Sequence, residues 1–159
     1  MEEEIQYNDV DSKITKYISS SEIILLPNNW NQDGEDEFIY SENTVTIRKL
    51  LKNNNIPVSI FSFKPDSQIT NNRNIDWVAP TMFISASFLS SNSDAVSISL
   101  SIIANYLTDY FKGNKSNPNV KIRIYFEKPN GQTKEATYSG PASGLDKFQE
   151  SIKEFSKLK

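Results

Sequence analysis

Val120-Lys121-Ile122-Arg123-Ile124-Tyr125-Phe126-Glu127, a turn at Pro129-Asn130-Gly131, and then Thr133-Lys134-Glu135-Ala136-Thr137-Tyr138 form the stretch that decides the fold. Val120, Ile122, Ile124 and Phe126 alternate strictly with Lys121, Arg123, Tyr125 and Glu127, the period of two expected of a strand with one buried face. Asn130-Gly131 reverses the chain. Pro129 suits the first central position of a type I turn and Gly131 the left-handed position, so Thr133 to Tyr138 returns as the second strand of a hairpin.

Helices flank this hairpin on both sides. Upstream, Asp94 is placed to cap a long helix whose Val96, Leu100, Ile103, Leu107 and Tyr110 recur at steps of three and four, with Gly113 as its stop. Downstream, Ser143 and Asp146 approximate a capping box. Leu145, Phe148, Ile152, Phe155 and Leu158 then line one face of a closing helix. Residues 94–159 therefore read as a helix-β-hairpin-helix unit.

The N-terminal half reads as strand, helix, strand. Glu22 to Leu26 is a short apolar run stopped by Pro27, and Val58 to Phe63 is a second extended segment, entered at Pro57. Between them Ser41 is the expected cap of a helix over 42–53, with Glu42 in its first turn and Ile47, Leu50 and Leu51 as its buried stripe. This order predicts a parallel β-α-β crossover over 22–63. Trp77 to Leu89 reads as a further strand region with Pro80 at an edge or bulge. Val10, Ile14, Tyr17 and Ile18 suggest a first helix over 9–19 behind a frayed acidic lead-in. The expected fold class is a single α+β domain over 1–159: a mixed sheet with an N-terminal β-α-β unit and a C-terminal helix-β-hairpin-helix unit. Its sub-units are 9–90 and 94–159, and the sequence leaves open whether they share one sheet.

Composition supports an ordered core. At 18.1 kDa the chain buries roughly 70% of the surface its unfolded form exposes. Mean hydropathy is only −0.51, but nine Phe, seven Tyr and two Trp supply bulky core material. The longest apolar stretch, Ala95 to Phe111, is interrupted by Ser97, Ser99, Ser101, Asn105 and Asp109, too polar to span a bilayer. The acidic start, Met1-Glu2-Glu3-Glu4, lacks the basic region of a signal peptide, so the expected location is cytoplasmic.

Charge divides along the chain. Residues 1–42 carry eleven acidic residues against Lys13 and Lys16, a net of −9. Residues 112–159 carry ten basic against five acidic, a net of +5. Such a dipole either complements itself within the folded monomer or steers a partner to one face.

The absence of His and Cys removes the commonest general base, the commonest thiol nucleophile and the usual zinc ligands. No Gly-x-Ser-x-Gly context surrounds any serine, and five glycines are too few to suggest phosphate loops. Asn29 to Gly34 matches the first six positions of an EF-hand loop, but Tyr40 stands where the bidentate Glu belongs. No enzyme, metal or cofactor is expected.

Two candidate surfaces remain. One is the acidic loop holding Trp30, Asp33, Glu35, Asp36 and Glu37, where Trp30 reads either as a packed core aromatic or as a binding anchor. The other is the outward strand face of Lys121, Arg123 and Tyr125, with Lys134 expected nearby. Basic and aromatic residues interleaved on a sheet hold single-stranded nucleic acid in some folds, but a pI of 5.1 argues against that partner here.

Over 94–159 the chain resembles the effector-associated constant component type of accessory module encoded beside bacterial conflict and defence effectors. Ile102 to Phe111, Val120 to Phe126, Pro129-Asn130-Gly131 and Leu145 to Leu158 occupy the places of that family's apolar helix, hairpin strand, Pro-Asp-Gly turn and second helix. Asn130 departs from the family's Asp. The resemblance implies a non-catalytic adaptor or accessory component that docks to a larger effector protein. The alternative is an immunity protein that neutralises a basic toxin through its acidic N-terminal half.

Overall fold

The computed structural model describes residues 4–10, 22–30, 38–62, 64–65, 68–69, 77–92, 94–110, 119–128 and 132–156. The strands are β1 (Glu4–Val10), β2 (Ile23–Leu26), β3 (Ile39–Tyr40), β4 (Val58–Ile60), β5 (Gln68–Ile69), β6 (Trp77–Val78), β7 (Thr81–Ile84), β8 (Asn119–Glu127) and β9 (Thr133–Pro141). The helices are α1 (Thr44–Asn53), α2 (Ala86–Ser91), α3 (Ala95–Tyr110) and α4 (Leu145–Ser156), with a 3-10 turn at Ala142–Gly144. The main sheet runs β1-β9-β8-β7-β2-β4, and β6 lies in line with β7 against β8. A small parallel pair, β3 with β5, stands apart from it.

The two sub-units share this one sheet. Its seam is the parallel pairing of β7 with β8, Met82 opposite Ile124 and Ile84 opposite Phe126. The crossover takes the expected form, with β2 and β4 parallel neighbours joined through α1. The hairpin likewise forms, Asn119 to Glu127 pairing antiparallel with Thr133 to Pro141. Lys128 N–H donates to Gln132 O at 2.8 Å at its closed end. Pro129, Asn130 and Gly131 lie outside the described residues, as does Gly113.

Alternation places the main core on one face. Ile23 and Leu25, Met82 and Ile84, Ile122 and Ile124, and Ala136 and Tyr138 project from the sheet into a cluster with Ile47 and Leu51 of α1, Phe88 of α2, Leu100 and Ile103 of α3, and Leu145 and Phe148 of α4. All four helices thus cover the same face. Tyr138 and Phe148 meet ring to ring at 5.5 Å, and Gln149 of α4 donates to Ser101 Oγ of α3 at 3.2 Å. The opposite face holds a smaller cluster of Ile24, Leu26, Phe83 and Tyr125, with Trp30 and Phe61 packed against it.

Several expectations are corrected. Residues 9 and 10 belong to a strand, β1, and not to a helix; the rest of the helix predicted over 9–19 lies outside the described residues. Far from fraying, the acidic lead-in pairs antiparallel with β9 from Glu4 opposite Ser139 to Val10 opposite Thr133. Its Ile5 and Tyr7 pack on the main core, and Tyr7 is hydrogen bonded to Ser151 of α4. The strand expected to run to Leu89 stops at Ile84, because Ser85 Oγ accepts from Phe88 N–H at 3.2 Å and starts α2. Pro80 marks a break between β6 and β7 inside the sheet, where Ala79 N–H still reaches Lys121 O at 2.9 Å. The segment after Pro57 is a strand only to Ile60, since Ser62 turns the chain with φ 54°.

Helix α1 is capped differently from expectation. Its N-cap is Asn43, Glu42 precedes the helix, and Ser41 acts through its carbonyl, which accepts from Thr44 N–H and Thr44 Oγ1. The Asn43 side chain makes no cap bond; its Oδ1 accepts from Tyr106 OH of α3 at 2.7 Å. At the other end the asparagine run has a structural use. Asn55, at φ 63°, takes the left-handed position of a Schellman turn: Ile56 N–H donates to Leu51 O and Asn55 N–H to Lys52 O.

Candidate functional site

The hairpin register decides what the second face of the sheet presents. Lys121 lies opposite Ser139, Arg123 opposite Thr137, and Tyr125 opposite Glu135. On the far side of β9, Gln6 lies opposite Thr137. Directly paired residues share a face, so Gln6, Lys121, Arg123, Glu135, Thr137 and Ser139 come together. They line an open concavity of about 210 Å³. Among the described residues no helical side chain belongs to the clusters of this face. It is polar over β1, β9 and β8, and apolar over β7 and β2.

Tyr125 sits on the boundary. It was expected on an exposed face, but it is only 4% exposed, because β7 and β2 bring Phe83 and Ile24 into the same row and Trp30 folds over it. The two rings meet edge to face, 5.2 Å apart and inclined at 77°. Burial pushes the Tyr125 hydroxyl up to about 12. The Trp30 side chain as hydrogen-bond partner pulls it down, the Glu135 carboxylate pushes it up by hydrogen bond and charge, and Arg123 opposes that.

Arg123 is the half-exposed cation of the concavity. Its Nε stands 3.8 Å from Glu135 Oε2, an ion pair too long to be a hydrogen bond, and its side chain is 38% exposed. Nε itself is buried and makes no hydrogen bond. Glu135 Oε1 accepts from Thr137 Oγ1 at 3.3 Å. Lys121 is exposed one step along the strand. Lys134, expected beside these residues, lies opposite Phe126 and so on the helical face. The acidic Glu135 occupies the neighbouring position instead.

Of the residues singled out from the sequence, the structure therefore brings Trp30, Arg123 and Tyr125 together on one face. Asp33, Glu35, Asp36 and Glu37 lie outside the described residues, as do most positions of the EF-hand-like loop. Among the described residues no cluster of three acidic side chains is arranged to hold a metal, and no helix is long and apolar enough to cross a membrane. Sequence reasoning missed Gln6, Glu135, Thr137 and Ser139. The alternation Ile5-Gln6-Tyr7-Asn8 was the available signal for Gln6, and the hairpin register was the signal for the other three.

The fold and this face define an α+β protein with helices on one side of a mixed sheet and a half-polar, half-apolar surface on the other. No family model, curated protein or solved structure matches the chain.

Proposed function

We propose that this protein is a non-catalytic, cytoplasmic adaptor or accessory component of a bacterial defence or conflict system, working by docking to a larger effector. The observation that carries the docking role is the second face of the sheet, a concavity of mixed charge beside an aromatic pair. Its polar groups are an Arg-Glu pair, hydroxyls and an amide, suited to recognising another protein's side chains. The defence setting rests on the resemblance of residues 94–159 to effector-associated modules.

Purification of the tagged protein from its native host, with mass spectrometry of what co-purifies, tests this reading. A stoichiometric larger effector is the expected result; the protein emerging alone under mild conditions counts against it. The immunity-protein reading draws on the net charge of −9 over residues 1–42. Charge reversal at Asp33, Glu35, Asp36 and Glu37 separates the two, because it abolishes electrostatically steered capture of a basic toxin and spares an adaptor that docks through its sheet.

A further inference from the structure

We propose that the groove where α1, α2 and α3 meet takes an arginine side chain presented by the partner protein. That a partner presents it rests on the docking role argued above; the preference for arginine stands on the groove alone. The space holds about 290 Å³ and lies on the helical side of the sheet, between the C-terminal ends of α1 and α2 and the first turn of α3. Such a volume is at the lower limit for small-molecule sites and gives room for one long side chain.

The polar part of the lining is weighted toward hydrogen-bond acceptors. Asn54 Nδ2 donates to Leu50 O at 2.8 Å, and Asn92 Nδ2 donates to Phe88 O at 3.3 Å. A carbonyl only accepts, so these bonds fix the orientation of both amides and leave each Oδ1 as an unused acceptor. Asp94, exposed just before α3, adds a carboxylate that pairs with nothing among the described residues. It is the one charged side chain of the lining; Lys52, in the last turn of α1, is exposed and does not border the groove. The C-terminal end of α1 also brings the negative end of the helix dipole to this space.

The other part of the lining is apolar. Phe88 and Ala95 are buried there, while Pro57 and Ile98 are exposed, Ile98 by 45%. A side chain that matches both parts has an apolar stem and a positively charged head that donates hydrogen bonds. Arginine suits this better than lysine. Its guanidinium spreads its N–H donors over a plane, accepts nothing, and can serve acceptors that stand on separate helices, whereas an ammonium gathers its donors at one point. A carboxylate or a phosphate would instead meet Asp94 and the carbonyl end of α1 and be repelled.

The test is an amide-resolved NMR titration of the full chain with an end-blocked glycine-arginine-glycine peptide, repeated with its lysine, citrulline and glutamate counterparts. Expected with arginine are saturable shifts at Asn54, Asn92, Asp94 and Ile98, with a dissociation constant on the order of 1 mM. Lysine should bind more weakly, neutral citrulline more weakly still, and glutamate not at all. Asp94→Asn keeps the size and capping ability of the side chain and should weaken arginine binding about tenfold. Ile98→Ser should weaken it less. Glu150→Gln removes an equal charge from the exposed side of α4 and should leave binding unchanged. Absent shifts in the groove, equal binding of citrulline or glutamate, tighter binding of lysine, or equal losses in Asp94→Asn and Glu150→Gln would each overturn the proposal. If a partner captured from the host is retained undiminished by Asp94→Asn, this site is wrong while the docking role stands; arginine binding in the titration with no partner recovered from the host would count against the docking role alone.

Discussion

The Trp30 ring stands edge-on to Tyr125, 5.2 Å away and inclined at 77°. A loop residue and a strand residue almost one hundred positions apart thus close the apolar half of the sheet's second face, against Ile24, Leu26 and Phe83. This contact ties the N-terminal β-α-β unit to the hairpin independently of the main core. It also separates the two surfaces expected from the sequence into different kinds of object. Trp30 and Tyr125 form a small packed cluster, and Arg123 is left on the open concavity beside it.

Replacing Trp30 by Ala should therefore cost about 2 kcal/mol, less than a fully buried Trp because Trp30 is only partly buried. Urea unfolding of Trp30→Ala and Trp30→Phe measures this, and Phe should recover part of the loss. A Trp30→Ala protein with unchanged stability but no partner capture would instead make Trp30 a binding anchor.

Alkaline pH should act through the same pair. Tyr125 titrates in the folded protein near 12, above its ordinary value of 10.0, chiefly because it is buried. A group whose folded pKa is raised contributes stability that is complete below pH 10 and is lost as pH rises from there toward 12. Tyr7, raised in the same direction by burial, adds to the trend. Absorbance titration of phenolate should show late-titrating tyrosine, with Tyr125→Phe assigning its transition. Glu135→Gln should move that transition to lower pH, since the carboxylate helps to raise it; a shift upward would contradict the geometry.

What the sequence made legible follows from how local the governing signals are. Strict alternation over Val120 to Phe126 specifies a strand and its buried face from seven residues, and the hairpin pairing carries that face to Ala136 and Tyr138. Pro27 and Pro57 likewise bracket the crossover. Three features depended on distant partners. β1 is a strand because β9 offers it an edge, and the alternation Ile5-Gln6-Tyr7-Asn8 is too short to decide the segment until that edge is known. Ser85 to Leu89 follows directly on the β-rich run from Trp77, yet one hydroxyl capping Phe88 N–H turns it into a helix. Tyr125 follows the polar alternation of β8 but is buried because β7, β2 and Trp30 arrive beside it. The candidate site was thus half legible: its cations lie on one strand, while Glu135, Thr137 and Gln6 needed the register.

The Tyr106–Asn43 bond, 2.7 Å long, joins α3 to the start of α1 and takes the Asn43 oxygen away from capping. Tyr106→Phe should cost about 1 kcal/mol, the usual net value of one such bond. In Asn43→Ala the same bond is lost, so the two changes together should cost less than their sum. Strict additivity in a double-mutant cycle monitored by urea unfolding would show that the bond contributes nothing.

Backbone conformation yields the sharpest contrast between two similar residues. Ser62 at φ 54° and Asn55 at φ 63° both occupy the left-handed region. Asn tolerates that region through its short polar side chain, and Asn55 also has its N–H bound to Lys52 O in the helix-ending turn. Ser gains less there, and glycine removes the Cβ clash at either site. The relief at Ser62 is about 1 kcal/mol, offset in part by the greater freedom of glycine in the unfolded chain. Ser62→Gly should thus raise the thermal midpoint slightly, Asn55→Gly should leave it nearly unchanged, and Ala at either position should lower it. Calorimetry of the four variants decides the matter: if Ser62→Ala proved as stable as Ser62→Gly, the turn after β4 would not need the left-handed conformation that ends the strand at Ile60.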